Sequence, residues 1–246
     1  MLKDKCILIT GGGQRIGAAV ARYLHGKGAR VVLHYRHSRY EAETLAAGLN
    51  DLRADSAIVA GCDLCDTANL NGYIERVLQL CNQLDALINN ASSFYPTPLG
   101  EINEENWQDL TGSNFKAPLF LAQACAPHLR ATAGAIVNIT DIHAEWPLPG
   151  YPLYSAAKGA LLTLTRALAI ELAPQVRVNA IAPGAIMWPD NGLFAREERQ
   201  AIIDHSLLKR MGTPDDVART AYFLLAKAHY ITGQIINVDG GRSIHL

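Results

Sequence analysis

Short apolar stretches alternate along the chain with longer stretches of helical periodicity, and this alternation constrains the fold more than any other feature. The apolar stretches predict strands at Cys6–Thr10, Arg30–Tyr35, Ala57–Gly61, Ala86–Asn89, Ala135–Ile139, Arg177–Ile181 and Gln234–Val238. The segments between them predict helices at Ile16–Lys27, Arg39–Leu52, Ala68–Cys81, Glu104–Leu129, Tyr154–Leu172 and Pro214–Lys227. Such alternation indicates βαβ units. The sequence therefore predicts an α/β fold with one doubly wound parallel sheet of about seven strands and helices on both faces.

The chain has 246 residues and shows no repeat, low-complexity segment or linker, which predicts a single domain over 1–246. The least regular part is 187–210, which contains a helix-like piece at Ala195–Asp204. A long excursion inside a compact domain is often a lid or a substrate loop. We therefore expect 187–210 to be the substrate loop.

Charge and cysteine content exclude several classes of protein. The 22 basic and 23 acidic residues give a net charge of −1, so nothing favours nucleic acid or an anionic membrane as a partner. The first predicted strand begins too soon after Met1 to leave room for a signal peptide, and no apolar run reaches membrane-spanning length. An odd number of cysteines, five, suits a reducing compartment. The expected location is the cytoplasm.

A glycine-rich turn follows the first predicted strand and leads into the first helix, with the sequence Thr10-Gly11-Gly12-Gly13-Gln14-Arg15-Ile16-Gly17. Glycines let backbone amides approach a pyrophosphate closely, and a helix N-terminus favours negative charge. The position of the turn indicates a dinucleotide site more strongly than its spacing does. The candidate contacts are Gly11, Gln14, Arg15 and Ile16.

The end of the second predicted strand indicates which dinucleotide binds. An acidic residue there would accept bonds from a ribose 2′-hydroxyl and imply NAD. This chain instead has His34, Tyr35, Arg36 and Ser38, with no acid until Glu41. Arg36 and Arg15 can pair with a 2′-phosphate, so the sequence predicts NADPH/NADP as the cofactor.

Asp63 and Leu64 follow the third predicted strand, where the Asp63 carboxylate is placed to bond an adenine amino group. They lie inside Cys62-Asp63-Leu64-Cys65, which has the C-x-x-C form but lacks a second cysteine pair and a thioredoxin-like context. No histidine spacing indicates a ligand set, and we expect His143 to line a cleft. The sequence therefore predicts no metal.

Tyr154 and Lys158 lie four residues apart at the start of a long predicted helix and so share one face. A free tyrosine has a pKa of about 10 and is a poor acid near neutrality. A nearby cation favours the phenolate, so we expect Lys158 to lower the pKa of Tyr154. Such a pair can pass a proton to or from a substrate heteroatom. Taken alone, the five residues Tyr154–Lys158 are also compatible with a half-buried tyrosine beside an exposed lysine that has no catalytic role.

Together these features resemble the short-chain dehydrogenase/reductase family, over nearly the whole chain and with its Rossmann-like fold. The motifs that carry the resemblance are the T-G-x-x-x-x-x-G turn, Asp63, Asn89-Asn90-Ala91, Asn114, Tyr154 with Lys158, Asn179 with Pro183-Gly184, Arg210–Pro214 and Asp239-Gly240-Gly241. The resemblance implies that Tyr154 exchanges the proton, that Lys158 binds the nicotinamide ribose, and that Asn114 holds a relay water. It also implies that Asn90, Ala91, Pro183 and Gly184 lie along the cofactor.

Three departures from the common family pattern are similar to its pteridine reductase branch. Arg15 replaces the middle glycine, Asp141 replaces the expected serine, and Ser92 replaces the glycine expected after Asn89-Asn90-Ala91. In that branch the pterin lies between the nicotinamide and a phenylalanine, here Phe94. The resemblance implies that Arg15, Ser92, Asp141 and Tyr154 surround the polar edge of the pterin.

The function implied is NADPH-dependent reduction of a dihydropteridine to its tetrahydro form, with Tyr154, Lys158 and Asp141 as the proton relay. The resemblance also implies a homotetramer in which Arg242–Leu246 approaches a neighbour's active site. Two alternatives stay open. One is a carbonyl reductase such as a 3-oxoacyl-thioester reductase, against which Asp141 counts. The other is a non-enzymatic NADP-sensing protein, against which the intact Tyr154, Lys158 and Asn114 count.

Overall fold

A computed structural model describes residues 2–188 and 194–244. Within them, seven parallel strands form one sheet in the order β3-β2-β1-β4-β5-β6-β7. The strands are β1 (Cys6–Ile9), β2 (Arg30–Tyr35), β3 (Ala57–Gly61), β4 (Ala86–Asn89), β5 (Ala135–Ile139), β6 (Arg177–Pro183) and β7 (Ile235–Val238). The predicted parallel sheet is confirmed.

The helices cover both faces of the sheet, as predicted. They are α1 (Arg15–Gly26), α2 (Arg39–Leu52), α3 (Leu70–Cys81), α4 (Glu104–Thr111), α5 (Ala117–Ala131), α6 (Pro152–Leu172), α7 (Arg196–His205) and α8 (Pro214–Ala226). No helix among these is long and apolar enough to cross a membrane.

The hydrophobic core lies in two layers, one on each face of the sheet. Side chains alternate across β1, so Ile7 and Ile9 enter the layer that packs against α1 and α8, whereas Leu8 enters the layer against α3 and α5. All three are fully buried. Burying one such side chain contributes roughly 1.5–3 kcal/mol, so the continuous apolar strands specify the two-sided sheet.

Two predicted boundaries are wrong for identifiable reasons. The single helix expected over Glu104–Leu129 is interrupted by a π-helical turn, Gly112–Lys116, between α4 and α5. Such turns add a residue to the helical repeat and are frequent at functional sites. The strand β6 continues beyond Ile181 to Pro183, because Pro183 still pairs with Val238 of β7.

The strand order reverses on either side of β1, since β2 follows β1 on one side and β4 adjoins it on the other. In open α/β sheets, ligands bind in the crevice at the carboxyl ends of the strands where the order reverses. The turn after β1 and the segment after β4 therefore form the start of a binding crevice.

Candidate active site

A cleft of about 650 Å³ opens at the carboxyl ends of β1, β4, β5 and β6. Its wall brings together most of the residues that the sequence proposed for cofactor and substrate: Gly11, Gln14, Arg15, Ile16, Ser38, Asn90, Ala91, Ser92, Phe94, Asp141, Tyr154, Lys158, Pro183 and Gly184. His143 also lines the cleft, as expected. The wall does not include His34, Tyr35, Arg36, Asp63, Leu64 or Asn114.

The glycine-rich turn packs tightly against the end of β4. The Oγ1 of Thr10 accepts hydrogen bonds from the backbone amides of Asn90 at 2.8 Å and Ala91 at 2.9 Å. The Asn90 side chain donates in return to the carbonyls of Thr10 and Gly11. A Cβ atom at Gly17 would lie 2.1 Å from the carbonyl oxygen of Gly11. Only glycine at position 17 allows α1 to approach the turn this closely.

The N-terminus of α1 carries donors suited to an anion. Gln14, at the cap position, makes no side-chain capping bond, and its amide instead donates to Glu41 at 2.7 Å. The first turn of α1 contains no acidic residue that would offset the positive end of the helix dipole. Arg15 lies on the same wall and donates to the carbonyl of Trp188 at 3.2 Å. This donor set fits the pyrophosphate of a dinucleotide.

His34 lies beneath the turn and supports it. Its buried ring accepts a hydrogen bond from the amide of Gly11 at Nδ1, at 3.1 Å, and bonds the carbonyl of Cys62 through Nε2, at 2.9 Å. The two bonds together require the proton on Nε2. Burial lowers the pKa of His34 to about 4. The ring of Tyr35 packs over Gly61, where a Cβ atom would lie 2.7 Å from it.

Arg36 pairs with Asp63, the residue proposed to bind adenine, with 3.2 Å between guanidinium and carboxylate. A second carboxylate, Asp109, lies 3.8 Å from the same guanidinium. Both Arg36 and Asp63 are exposed, so the pair contributes little and can open to admit a phosphate. Ser38 reaches the cleft wall, whereas Leu64 is buried in the core.

The Cys62-x-x-Cys65 segment holds two free thiols. Burial raises the pKa of both thiols, so neither is activated as a thiolate. The carboxylate of Asp63 accepts a bond from the Cys65 amide at 3.0 Å. Within residues 2–188 and 194–244, no group of three or more His, Cys, Asp or Glu side chains could hold a metal ion.

Tyr154 and Asp141 form a hydrogen-bonded pair on the cleft wall. The Tyr154 hydroxyl donates to Oδ2 of Asp141 at 2.7 Å, while Oδ1 accepts from the amide of His143 at 2.8 Å. Tyr154 is buried at the start of α6, and Asp141 follows β5. Burial, and next the Asp141 carboxylate, raise the pKa of Tyr154 well above its ordinary value.

Lys158 lies one helical turn after Tyr154, as the spacing predicted, but it does not lower the pKa of that phenol. Its ammonium donates to the carbonyl of Ile139 at 3.0 Å and lies 5.8 Å from the centre of the Tyr154 ring. The expectation of a lowered pKa is wrong, because burial and then the Asp141 carboxylate raise the pKa of Tyr154. Burial lowers the pKa of Lys158 itself to about 8, against the opposing effect of Asp141.

Asn114 lies in the π-helical turn, fully buried behind the cleft wall. Its amide nitrogen donates to the carbonyls of Ser93 and Leu110, each at 3.0 Å. Its oxygen accepts from the hydroxyl of Ser92 at 2.6 Å. Since Ser92 lines the cleft, this bond links Asn114 to the site.

An aromatic cluster lies beside the Tyr154–Asp141 pair. The ring of Phe94 is stacked on Tyr151, with centroids 4.8 Å apart and 11° between the planes. Phe94 also meets the ring of Tyr154 at 4.8 Å and 77°. Both contacts are favourable geometries for aromatic pairs and hold Phe94 in place.

Comparison with known proteins identifies the family to which a chain with this cleft belongs. A family model described as enoyl-(acyl carrier protein) reductase matches residues 12–243. Pteridine reductase 1 of Leishmania tarentolae is 39% identical over 279 aligned residues, which cover 96% of this chain and 96% of that protein. A 3-oxoacyl-(acyl-carrier-protein) reductase of Staphylococcus aureus is 32% identical over 244 residues, covering 98% and 99%. The chain belongs to the short-chain dehydrogenase/reductase family.

Membership of the short-chain dehydrogenase/reductase family confirms the resemblance drawn from the motifs and makes the chain an oxidoreductase. The non-enzymatic alternative is therefore wrong. Both a pteridine reductase and an oxoacyl reductase are among the relatives, so the family does not choose between these two substrates.

Several cleft residues were not identified as site residues from the sequence: Leu148, Trp188, Phe194, Ile202 and Arg242. Tyr151, which stacks on Phe94, was not identified either. Trp188 and Phe194 belong to the expected substrate loop, 187–210, of which residues 189–193 lie outside the described part of the chain. Arg242 lines the cleft of its own chain. Its approach to a neighbour's active site stays a prediction. The signal for Arg242 was its position directly after Asp239-Gly240-Gly241.

Proposed function

We propose that this chain reduces a dihydropteridine to its tetrahydro form with NADPH. The observation that carries the proposal is the 2.7 Å bond between Tyr154 and Asp141 on a wall shared with Phe94. A proton donor, a carboxylate and an aromatic face converge there, as a flat heterocycle with ring nitrogens requires.

The cleft has the donors that a dinucleotide phosphate needs at the N-terminus of α1, together with Arg15. Bound NADPH would supply the hydride. Gly11, Asn90 and Ala91 would hold the dinucleotide where the strand order reverses, with Pro183 and Gly184 lining the cleft at the end of β6. Arg36 and Ser38 would select the 2′-phosphate, Arg36 by leaving Asp63.

The protein residues move the proton. Two oxygens 2.7 Å apart cannot both carry full negative charge, so the Tyr154–Asp141 pair retains a proton. When Tyr154 donates to the substrate, a negative charge develops beside Asp141. Lys158, whose pKa of about 8 makes it a proton source near neutrality, can offset that charge.

The polar edge of the substrate would meet Asp141, Ser92 and Arg15, and its ring would lie against Phe94. The stack of Phe94 on Tyr151 orients the ring before substrate binds, which reduces the entropy lost on binding. The Ser92 hydroxyl, held by Asn114, is likewise oriented in advance. The relay water expected on Asn114 would reach the cleft by way of the Ser92 hydroxyl, which connects Asn114 to the cleft wall.

A 3-oxoacyl-thioester reductase is the second candidate, because one relative bears that activity in its name. A flexible thioester would leave the Phe94 face unused and would bring no ring nitrogens to Asp141. Aromatic stacking contributes about 0.5–1.5 kcal/mol beyond simple burial, so the dihydropteridine is favoured.

The test measures NADPH oxidation by the purified enzyme with dihydrobiopterin, dihydrofolate and acetoacetyl thioester side by side. We expect the dihydropteridines to be reduced and the thioester to react slowly or not at all. A thioester that is the better substrate would overturn the assignment and leave Asp141 and Phe94 as packing residues.

Three further features accompany this proposal. We propose one domain over 1–246 with 187–210 as the substrate loop, a cytoplasmic location, and a homotetramer. In that tetramer the stretches Glu104–Leu129 and Tyr154–Leu172 would provide the interfaces, and the second of them exposes Ile170. Sedimentation velocity on the purified protein measures the subunit number.

A further inference from the structure

Arg242 lies on the cleft wall, and no hydrogen bond or ion pair joins its side chain to another of the described residues. It lines the same cleft as Asp141 and Tyr154. Its Nε is buried and has no hydrogen-bond partner among residues 2–188 and 194–244. No carboxylate in those residues forms an ion pair with it. Buried polar groups are nearly always bonded, so an unpartnered arginine in a cleft calls for a ligand.

The backbone on both sides of Arg242 adopts a defined conformation. Gly240 and Gly241 adopt left-handed φ values of 66° and 80° before the short 3₁₀ turn Arg242–Ile244. The left-handed φ of 80° favours glycine at position 241, where a Cβ atom would also come within 2.7 Å of the Leu207 side chain.

The carboxylate of Asp239 fixes this turn. Its two oxygens accept bonds from the amides of Gly241 at 2.9 Å and Ser243 at 2.7 Å. The Ser243 hydroxyl accepts a further bond from the side chain of Asn237 at 2.9 Å. The Asp239 oxygens are thereby engaged with the backbone, and the guanidinium of Arg242 is presented from an anchored element.

The charges around Arg242 are compatible with binding of an anionic ligand. The cationic side chains on the described part of the cleft wall are Arg15, Lys158 and Arg242. Lys158 bonds the Ile139 carbonyl, and Arg15 lies at the glycine-rich turn and bonds Trp188. Burial lowers the pKa of Arg242, and Asp141 and Asp239 oppose that shift. An arginine stays charged even so, and a partly desolvated cation gains from an anionic ligand.

We infer that Arg242 binds a negatively charged group, a carboxylate or a phosphate, on the side chain of the substrate, and that this chain prefers charged to uncharged dihydropteridines. The inference rests on the proposed function and specifies its substrate class. The planar guanidinium can engage either anion through two parallel bonds. Substrates with neutral side chains would leave Arg242 unpaired.

The experiment compares kcat/KM for three substrates: dihydrofolate, which carries carboxylates, dihydroneopterin phosphate, and uncharged dihydrobiopterin. We expect wild type to prefer at least one charged substrate. In Arg242→Gln that preference should fall by roughly ten- to a hundredfold, the effect of one charge-assisted bond, through a higher KM. Arg242→Lys, which keeps the charge, should restore part of it. The charged substrate that responds identifies carboxylate or phosphate.

A matched control is Arg76→Gln, which removes an exposed arginine from α3, away from the cleft. Its substrate preference should equal that of wild type. Isothermal titration calorimetry measures binding of the charged substrate to the enzyme–NADP complex, in which no turnover occurs. Arg242→Gln should show the same loss of affinity in this measurement. Thermal melting confirms that each variant is folded.

Different failures have different meanings. If wild type reduces dihydrobiopterin at least as well as both charged substrates, or if Arg242→Gln keeps the preference, this inference is wrong and the proposed function stands. A KM for NADPH that rises equally with all substrates would assign Arg242 to the cofactor and would also overturn it. If no dihydropteridine is reduced, both proposals fail.

Discussion

The hydroxyl of Tyr154 lies 2.7 Å from Oδ2 of Asp141, and it is the donor in that bond. A serine at position 141 would also bond the phenol but would add no charge. Burial, and next the Asp141 carboxylate, which stabilises the protonated phenol, raise the pKa of Tyr154 rather than lower it. The Tyr154–Asp141 pair therefore retains a proton, and donation of that proton to a substrate depends on the other charges in the site.

Replacing Tyr154 with phenylalanine should abolish most activity and preserve the fold. The ring keeps its contact with Phe94, and only the hydroxyl is lost. Turnover should fall by roughly two to four orders of magnitude, the usual size of an acid–base contribution. The measurement is kcat with NADPH and a dihydropteridine, with thermal melting as the control. Near-normal turnover would assign the proton to another group, Asp141 first.

Replacing Asp141 with asparagine removes the negative charge of the side chain and keeps its shape. The amide can still accept a bond from Tyr154, but the negative charge that disfavours the phenolate is removed. We expect pteridine turnover to fall by roughly tenfold or more, since an unmatched substrate N–H costs about 1–3 kcal/mol. Glu145→Gln, which neutralises a nearby carboxylate outside the cleft wall, is the control. Unchanged turnover in Asp141→Asn would contradict a role for the charge.

The central strands β1, β4, β5 and β6 were predictable because they are buried on both faces and are therefore mostly apolar. β2, β3, β4 and β5 begin and end where the sequence places them. The residues at their carboxyl ends, such as Asn90 and Asp141, could be placed at one edge of the sheet from the parallel topology alone.

Pairings between side chains could not be predicted, because they depend on three-dimensional approach rather than on spacing. Nothing local to Arg36 shows that Asp63 and Asp109 lie against it. The role of His34 under the Gly11 amide depends on a bond across 23 residues. The π-helical turn at Asn114 likewise arises from packing and not from helix propensity.

Cofactor choice tests the role of Arg36. Wild type should prefer NADPH to NADH by about ten- to a hundredfold, the effect of one charge-assisted contact. Arg36→Gln should remove most of that preference by raising the KM for NADPH and not that for NADH. Arg39→Gln, which breaks an exposed pair with Glu43 nearby, is the matched control. Equal efficiency of wild type with both cofactors would show that no 2′-phosphate site exists.

His34 should make the fold sensitive to mild acid. Its pKa is about 4 in the folded chain, against an ordinary value of 6.5. The unfolded chain therefore binds a proton that the folded chain excludes. The free energy of unfolding should fall as the pH drops from 6.5 to 4, by about 3 kcal/mol for this group. Urea unfolding at several pH values measures it.

The control for this effect is His37, an exposed histidine three residues away. His37→Gln should keep the pH dependence of wild type, whereas His34→Gln should have a smaller slope between pH 6.5 and 4. Equal slopes in the two variants would mean that protonation of His34 is not what weakens the fold.

Lys158 should set the alkaline limit of activity. Burial lowers its pKa to about 8, so the side chain is cationic at neutral pH and loses its charge as the pH rises through 8. If that charge supports proton donation by Tyr154, kcat/KM should decline above pH 8 with the loss of one proton. Arginine stays protonated across this range. Lys158→Arg should therefore be slower than wild type, because its larger head fits the Ile139 carbonyl poorly, but its activity should not decline between pH 8 and 10. A decline that persists in Lys158→Arg would assign the titration to another group and remove Lys158 from the relay.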